Sequence, residues 1–436
     1  MTTALLLENI HATAADFLRS RGIDVMTAAG AMDEDELISA VTEHDVNLLG
    51  IRSKTQVTAR VLEACPSLEA VGCFSIGTNQ VDLGSAAQKG VAVFNAPYSN
   101  TRSVMELVIS DIIALMRRVP EHTLSIRSHT WDKTAKKSHE VRGKTLGIVG
   151  YGNIGSQVSI LAEALGMNVV FYDIEEKLAL GNATRMNSME ELLRISDAVT
   201  LHIDGRASNA GIFGERYFSM MKQDAVFMNL SRGFIIDVQA LYNHLKSGHL
   251  SGAAVDVFPT EPKATGDEFD TPLTEIANVI LTPHVGGSTL EAQKAIGEFV
   301  SHKLYDYLVD GNTSLSVNMP NLNVSAVAAS GAGAGSAGAG GAVGSGAVGT
   351  GAIGAGAVGT AAHARLARIA HLHTNLPGIL AKLNNVLSAK NLNIVAQSLA
   401  TEGDLGYVIT DVAGVLSEED VQAVQDIPGT VRVHIL

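Results

Sequence analysis

The stretch "KTLGIVGYGNIGSQVSILAEALGMNVVFYD", residues 144–173, restricts the possible folds more than any other part of this chain. Residues 144–149 form a short apolar run suited to a strand buried on both faces. Gly150, Gly152 and Gly155 then follow a G-x-G-x-x-G pattern. Ser156 to Leu165 carries apolar residues at helical spacing, and Gly166 is placed to end that helix. A second apolar strand, residues 168–172, stops at Asp173, eighteen positions past the last glycine. In such a unit the first glycine permits a tight turn and the second lets backbone approach a pyrophosphate. The third lets helix and strand pack closely, and the helix N-terminus offers free N–H groups to phosphate. Asp173 can accept hydrogen bonds from ribose hydroxyls, and its charge repels a 2′-phosphate, which favours NAD over NADP. A bare G-x-G-x-x-G marks many ordinary turns, but the surrounding strand, helix, strand and acid predict a dinucleotide site.

Later apolar runs extend the same sheet. "DAVTLHI" (197–203), "AVFMNLSRG" (225–233), "GAAVDVF" (252–258) and "NVILTPH" (278–284) each stop at polar residues. Ligands of a doubly wound sheet bind outside the carboxyl ends of its strands, and Ser231, Arg232, Asp256 and His284 fall at those ends. Arg232, Glu261 and His284 stand out as a set. Oxidising a 2-hydroxy acid requires holding its carboxylate, taking the hydroxyl proton and passing the C2 hydrogen to a nicotinamide. A guanidinium grips a carboxylate bidentately, and an imidazole titrates near the working pH. A carboxylate beside that imidazole orients it and raises its pKa. Any one of the three residues alone reads more simply as surface or core; together, downstream of a dinucleotide motif, they predict catalysis.

A second feature sets the domain organisation. Ser330 to Thr360 contains no charge, aromatic ring or proline. It is long enough to span a bilayer, but it is Gly and Ala with scattered Val, where insertion is driven by Leu, Ile, Val and Phe, and no basic cluster flanks it. Residues 321–362 therefore read as a flexible tether, a coil with an r.m.s. span of about 35 Å. The formal charge of −14 argues against nucleic acid or an anionic membrane as partner. Cys65 and Cys73 are too few for a disulfide framework, no metal-ligand spacing surrounds them, and the N-terminal apolar run lacks a basic n-region. A cytoplasmic setting with no metal is expected.

"GYGNIG", "NLSRGFIIDVQAL", "GAAVDVFPTEP" and "LTPHVGGSTLEAQ" resemble the D-isomer-specific 2-hydroxyacid dehydrogenase family over residues 1–320. The resemblance implies an α/β fold of two Rossmann-like lobes with doubly wound parallel sheets. Residues 99–284 would form the NAD-binding lobe, inserted into a substrate-binding lobe of residues 1–98 and 285–320. It implies Arg232, Glu261 and His284 as catalytic residues. The implied cofactor contacts are Gly150, Gly152, Asn153, Ile154, Gly155, Asp173, Leu230, Ser231, Arg232, Asp256, His284, Val285, Gly286 and Gly287.

"GIRSKTQVT" (50–58) and "NAPYSNTRSVMELV" (95–108) resemble the substrate-phosphate region of the members that act on 3-phosphoglycerate. Arg52, Ser53 and Asn100 would hold the phosphate, with Gln293 near them; an Arg, a hydroxyl and an amide suit phosphate oxygens. Trp131 and Lys133 resemble a segment reaching toward a neighbouring subunit, which implies a homo-oligomer, with a tetramer expected. Two positions depart from the family pattern: Asp204 stands where Pro is usual after "LHI", and Met105 replaces a small residue.

Residues 363–436 read strand, helix, strand, strand, helix, strand, with Pro377 suited to a first helical turn. That βαββαβ order with its "N-L-P-G" start resembles an ACT domain. The resemblance implies feedback inhibition by L-serine bound through His373, Asn375 and Asn393. Two other readings stay open: a non-enzymatic NAD-sensing scaffold, and a sibling dehydrogenase acting on an unphosphorylated acid such as lactate, glyoxylate or 2-hydroxyglutarate.

Overall fold

The apolar runs near the N-terminus are only about four residues long, too short for stable helices, and they pair as strands. The computed structural model describes residues 2–262, 266–324 and 366–436. Most of the expected tether lies outside the described residues. Thr3–Leu6 (β1), Asp24–Thr27 (β2), Leu48–Ile51 (β3), Ala70–Cys73 (β4) and Ala92–Phe94 (β5) form a five-stranded sheet in the order β2-β1-β3-β4-β5. β1 pairs in parallel with both β2 and β3, so the sheet switches winding direction between β1 and β3. In open sheets of this kind ligands bind beside the loops that leave the two strands at the switch point.

The second sheet is seven-stranded and parallel. Its strands are Thr145–Val149 (β6), Asn168–Tyr172 (β7), Thr184–Arg185 (β8), Ala198–Leu201 (β9), Val226–Asn229 (β10), Gly252–Val255 (β11) and Val279–Leu281 (β12). Their order is β12-β11-β10-β9-β6-β7-β8, which puts the switch point between β6 and β9. Alternate residues serve two cores. Ile148, Phe171, Ala198, Met228 and Ala254 face one layer with Val104, Val108 and Ile112. Val149, Val170, Val199, Phe227 and Val255 face the other with Leu192, Phe218 and Leu241. Burial on both faces is why these strands are continuously apolar instead of alternating. The helix after the glycine turn begins at Asn153, three residues before the run of helical spacing suggests, with Gly152 at the N-cap position and no side-chain cap.

Leu366–Thr374 (β13), Asn393–Glu402 (β14), Leu405–Ala413 (β15) and Thr430–Ile435 (β16) make an antiparallel sheet ordered β14-β15-β13-β16. Helices Ile379–Ala389 and Glu418–Gln425 complete the βαββαβ order, and Leu383, Leu387 and Val424 pack on Ile369, Val408 and Val412. Pro377 lies just before the first helix, whose N-cap is Gly378 at φ +88°. A left-handed cap favours glycine, so the turn closes one residue later than proline alone would place it.

By internal contact the described residues within 1–56, 72–80 and 95–301 form one compact unit, and those within 57–71, 81–94 and 302–436 a second. Within the second unit, Arg432 Nη1 donates to Leu68 O at 2.7 Å and its Nη2 to Pro66 O at 3.1 Å. Tyr407 Oη donates to Gly311 O at 2.8 Å in the same unit. Among the described residues no helix is long and apolar enough to cross a membrane.

Candidate active site

Parallel pairing brings the carboxyl ends of β6, β9, β10, β11 and β12 to one edge, where the sheet's polar residues collect. At the switch point Gly150 adopts φ +92°, and a side chain there would meet His202 O at 2.6 Å. Only glycine fits that turn. A Cβ on Gly155 would overlap Gly150 O, so the helix packs directly on the strand end. A Cβ on Gly152 would meet nothing within 4 Å, and the helix beginning at Asn153 has no side-chain cap. Open space over an uncapped helix N-terminus fits a diphosphate. Asn153 and Ile154 lie in that first turn, and Asp173 ends β7 beside it. Asp173 Oδ2 accepts from Tyr151 N at 2.7 Å, and its Oδ1 accepts from Glu175 N at 2.9 Å. The acid therefore braces the glycine turn as well as standing at the strand end where an adenosine ribose is expected.

The turns after β10, β11 and β12 interlock. Asn229 Oδ1 accepts from Ser231 N at 3.1 Å and from Ser231 Oγ at 2.8 Å, while Asn229 Nδ2 donates to Arg232 O at 3.1 Å. Arg232 is thereby projected from a fixed turn, with Nη1 donating to Ser231 O at 2.7 Å. A Cβ on Gly233 would overlap the Phe258 carbonyl, which shows how closely the β10 and β11 turns approach. Asp256 is buried, and its two oxygens accept from Val285 N and Gly286 N, both at 2.8 Å, and from the Thr282 hydroxyl. It holds the 284–287 turn in shape.

His284 and Glu261 meet across that turn, Nδ1 to Oε2 at 2.8 Å, and Phe258 N donates to Glu261 Oε1 at 3.2 Å. The carboxylate accepts from Nδ1–H, which fixes the proton on that nitrogen and leaves Nε2 as the free base. The Glu261 hydrogen bond raises the His284 pKa; burial opposes this, the charges of Glu261 and Asp256 add to it, and Arg232 works against it. For Glu261, burial pushes the pKa up, but the His284 hydrogen bond and charge, with Arg232 behind them, leave it below the ordinary value. Burial lowers the Arg232 pKa, partly offset by the charges of Glu261 and Asp204. Behind the turn, Asp111 is pushed up to about 7 by burial and by the Asp256 charge.

Gly287 joins this edge to the expected phosphate residues. Gln293 Nε2 donates to Gly287 O at 3.0 Å, and a Cβ on Gly287 would overlap Asn100 Nδ2. Asn100 Oδ1 is buried without a partner. Arg52 and Ser53 leave β3 on a separate loop, tied to Gln80, whose Nε2 donates to Arg52 O. Gln80 also donates to Gly77 O at 3.2 Å, and a Cβ on Gly77 would lie 3.3 Å from Arg232 Nη2. Asp204 is held by Arg206, Nε to Oδ1 at 2.8 Å, and by Asn209 at 3.0 Å. The acid that departs from the family pattern thus carries its own counter-charge. Glu8, Gln80, Asn229 and Asp111 were not legible as site residues; the one available signal was an acid closing an apolar strand in "LLLEN".

In the C-terminal sheet Asn375 Nδ2 donates to Gly403 O at 3.2 Å, beside the Thr374–Leu405 pair. Asn393, on β14, pairs with Ala413 at the other end of β15 from Leu405. One copy therefore does not bring Asn375 and Asn393 together. His373 is buried, with Nδ1 bonded to Thr374 O at 2.8 Å and Nε2 unpartnered.

The family description "D-isomer specific 2-hydroxyacid dehydrogenase, NAD binding domain" matches residues 109–286. "AHAS small subunit-like ACT domain" matches residues 369–432. The chain is similar to the D-3-phosphoglycerate dehydrogenase of Haemophilus influenzae, at 44% identity over 433 residues, covering 99% of this chain and 96% of that protein. It is also similar to the D-3-phosphoglycerate dehydrogenase of Escherichia coli K12, at 42% identity with 99% and 97% covered. Among solved structures, the TT0316 protein of Thermus thermophilus matches with TM-score 0.64 at 29% identity, covering 71% of this chain and 97% of that one. The chain belongs to the D-3-phosphoglycerate dehydrogenases of the D-isomer-specific 2-hydroxyacid dehydrogenase family, NAD-dependent oxidoreductases, here with a C-terminal ACT domain.

Proposed function

We propose that this enzyme oxidises 3-phospho-D-glycerate to 3-phosphohydroxypyruvate, the first step toward L-serine, and that L-serine inhibits it. The observation that carries the reading is the 2.8 Å His284–Glu261 bond beside Arg232 at the carboxyl edge of the β6–β12 sheet. Arg232 holds the substrate carboxylate through paired N–H donors. His284 Nε2 takes the C2 hydroxyl proton, and Glu261 stabilises the resulting imidazolium. The 150–155 turn, Asp173, the 230–232 turn, Asp256 and the 284–287 turn would hold NAD, which would supply the acceptor for the C2 hydrogen as hydride. Arg52, Ser53 and Asn100 receive the phosphate, with Gln293 near them. Asn100 would meet it through Nδ2, the donor of its amide.

Serine would be gripped between two ACT copies, with His373 and Asn375 from one and Asn393 from the other, since a single sheet holds Asn375 and Asn393 at opposite ends. That reading requires a homo-oligomer, a tetramer in our proposal, and Trp131 at 83% exposure with Lys133 is the segment offered to a neighbour. Cys65 and Cys73, both buried and neither in a disulfide, support the reading of a reducing cytoplasm. The test is NADH formation with 3-phosphoglycerate, D-lactate, D-glycerate and 2-hydroxyglutarate side by side, each with and without millimolar L-serine. Preference for an unphosphorylated acid would move the enzyme to a sibling activity, and indifference to serine would remove the sensor.

A further inference from the structure

Glu8 lies just past the end of β1 and Arg52 follows β3, so the two flank the switch point of the five-stranded sheet, where ligands of such sheets bind. Glu8 is 8% exposed and adopts φ +61°, followed by Asn9 at φ +52°. Two consecutive non-glycine residues in the left-handed region carry a backbone cost that the surroundings must impose. The surroundings here are the loop after β3. Glu8 Oε2 accepts from Ser53 N at 3.0 Å and Lys54 N at 3.1 Å, and its Oε1 accepts from Thr55 N at 2.8 Å. Burial alone would raise the carboxyl pKa. The N–H groups of Thr55, Lys54 and Arg52 and the Thr55 hydroxyl outweigh it, so the group stays ionised.

Successive backbone N–H groups in a loop of this kind form an anion-binding concavity, which is how many proteins hold phosphate. In this chain the concavity is already filled by a carboxylate of its own. From the opposite side Gln80, 3% exposed, donates to Arg52 O, to Ser75 Oγ at 3.3 Å and to Gly77 O at 3.2 Å. The loop is therefore clamped through its N–H groups by Glu8 and through a carbonyl by Gln80, and the Arg52 and Ser53 side chains are among those on it still able to meet an anion.

We propose that Glu8 is a positioning residue for recognition of the substrate phosphate: it occupies the backbone donors of residues 53–55 and fixes the loop, so that the phosphate is read by the Arg52 and Ser53 side chains. This rests on the reading of Arg52 and Ser53 as phosphate residues. Removing the carboxylate charge leaves three N–H groups facing an amide that offers a single acceptor oxygen, and the loop relaxes away from its shape.

The experiment uses the full-length enzyme with Glu8→Gln, Glu8→Asp and Arg52→Ala, measuring KM for 3-phosphoglycerate, kcat, the inhibition constant of inorganic phosphate, and NAD affinity by fluorescence titration. Glu8→Gln should raise the 3-phosphoglycerate KM by about tenfold or more and weaken phosphate inhibition in parallel, with kcat within about threefold. NAD affinity should stay at the wild-type value. Glu8→Asp, which keeps the charge on a shorter arm, should fall between wild type and Glu8→Gln and carries the test if Glu8→Gln does not fold. An unchanged KM in the Glu8 variants, with a raised KM in Arg52→Ala, overturns the role of Glu8 and leaves the phosphate reading standing. No change in Arg52→Ala overturns the phosphate reading and the inference with it. A joint fall in kcat and NAD affinity shows a general structural role and also overturns it.

Discussion

His284 Nδ1 lies 2.8 Å from Glu261 Oε2 while the His284 backbone holds φ +55°, a left-handed conformation in a non-glycine residue. The residue is thus fixed twice, by its carboxylate partner and by Asp256, whose carbonyl accepts from His284 N at 2.8 Å. Strain of this kind persists only where the surrounding structure imposes it. His284→Ala should lower kcat by about 10²- to 10⁴-fold while NAD still binds, because the base is lost and the glycine turn remains. Stopped-flow turnover and NAD titration check both halves; near wild-type turnover rules out His284 as base.

The same pair sets a pH dependence. His284 must be neutral to accept a proton, and the Glu261 hydrogen bond raises its pKa. The acid limb of kcat/KM for oxidation should therefore lie above the ordinary histidine value of about 6.5. Glu261→Gln removes the raising charge, so that limb should move to lower pH, and kcat at neutral pH should fall by about tenfold or more as the ring loses its orientation. Profiles of both enzymes over the same pH range decide it; an unmoved limb assigns it to another group.

Asp173 should act on both the cofactor's ribose and the protein's own turn. Asp173→Ser removes the repelling charge and the Tyr151 N acceptor at 2.7 Å. NAD should bind about tenfold more weakly, and the ratio of NADP to NAD efficiency should rise. Unchanged cofactor preference would mean that the acid serves the turn alone.

Two glycines should separate stability from binding. A Cβ at Gly233 overlaps backbone of Phe258, whereas a Cβ at Gly152 meets nothing within 4 Å. Gly233→Ala should destabilise the enzyme by about 3 kcal/mol through overpacking between the β10 and β11 turns. Gly152→Ala should leave the urea midpoint in place and weaken NAD, since the methyl fills the space over the helix N-terminus. Equal urea midpoints for the two variants would show that the turns move apart freely.

On the serine reading proposed above, Asn393→Ala should raise the L-serine concentration for half-inhibition by about ten- to a hundredfold, the loss of a polar contact worth about 1–3 kcal/mol. The measure is residual activity relative to each variant's own uninhibited rate. Arg432→Ala, which releases Leu68 O and Pro66 O, should change the depth of inhibition more than its midpoint. A shifted midpoint with unchanged depth would mean that Arg432 acts on serine binding instead of on transmission.

What the sequence by itself determined was local. The continuously apolar strands, the spacing of Gly150, Gly152 and Gly155, and the acid at Asp173 all lie within 30 residues, where backbone sterics and hydrophobic period leave few alternatives. The βαββαβ order of the last 74 residues was legible for the same reason. The Arg232, Glu261 and His284 set could be named because each follows a recognisable strand, but that Glu261 reaches His284 depends on β11 lying beside β12. Tertiary structure alone decided what depends on strand order. It put Glu8 against residues 53–55 across 45 positions of chain, turned Asp173 back onto Tyr151 N, and held Asn375 and Asn393 at opposite ends of one sheet. No period or propensity encodes those meetings, because they follow from which strands pair and in what register, and pairing is settled only when the whole sheet closes its core.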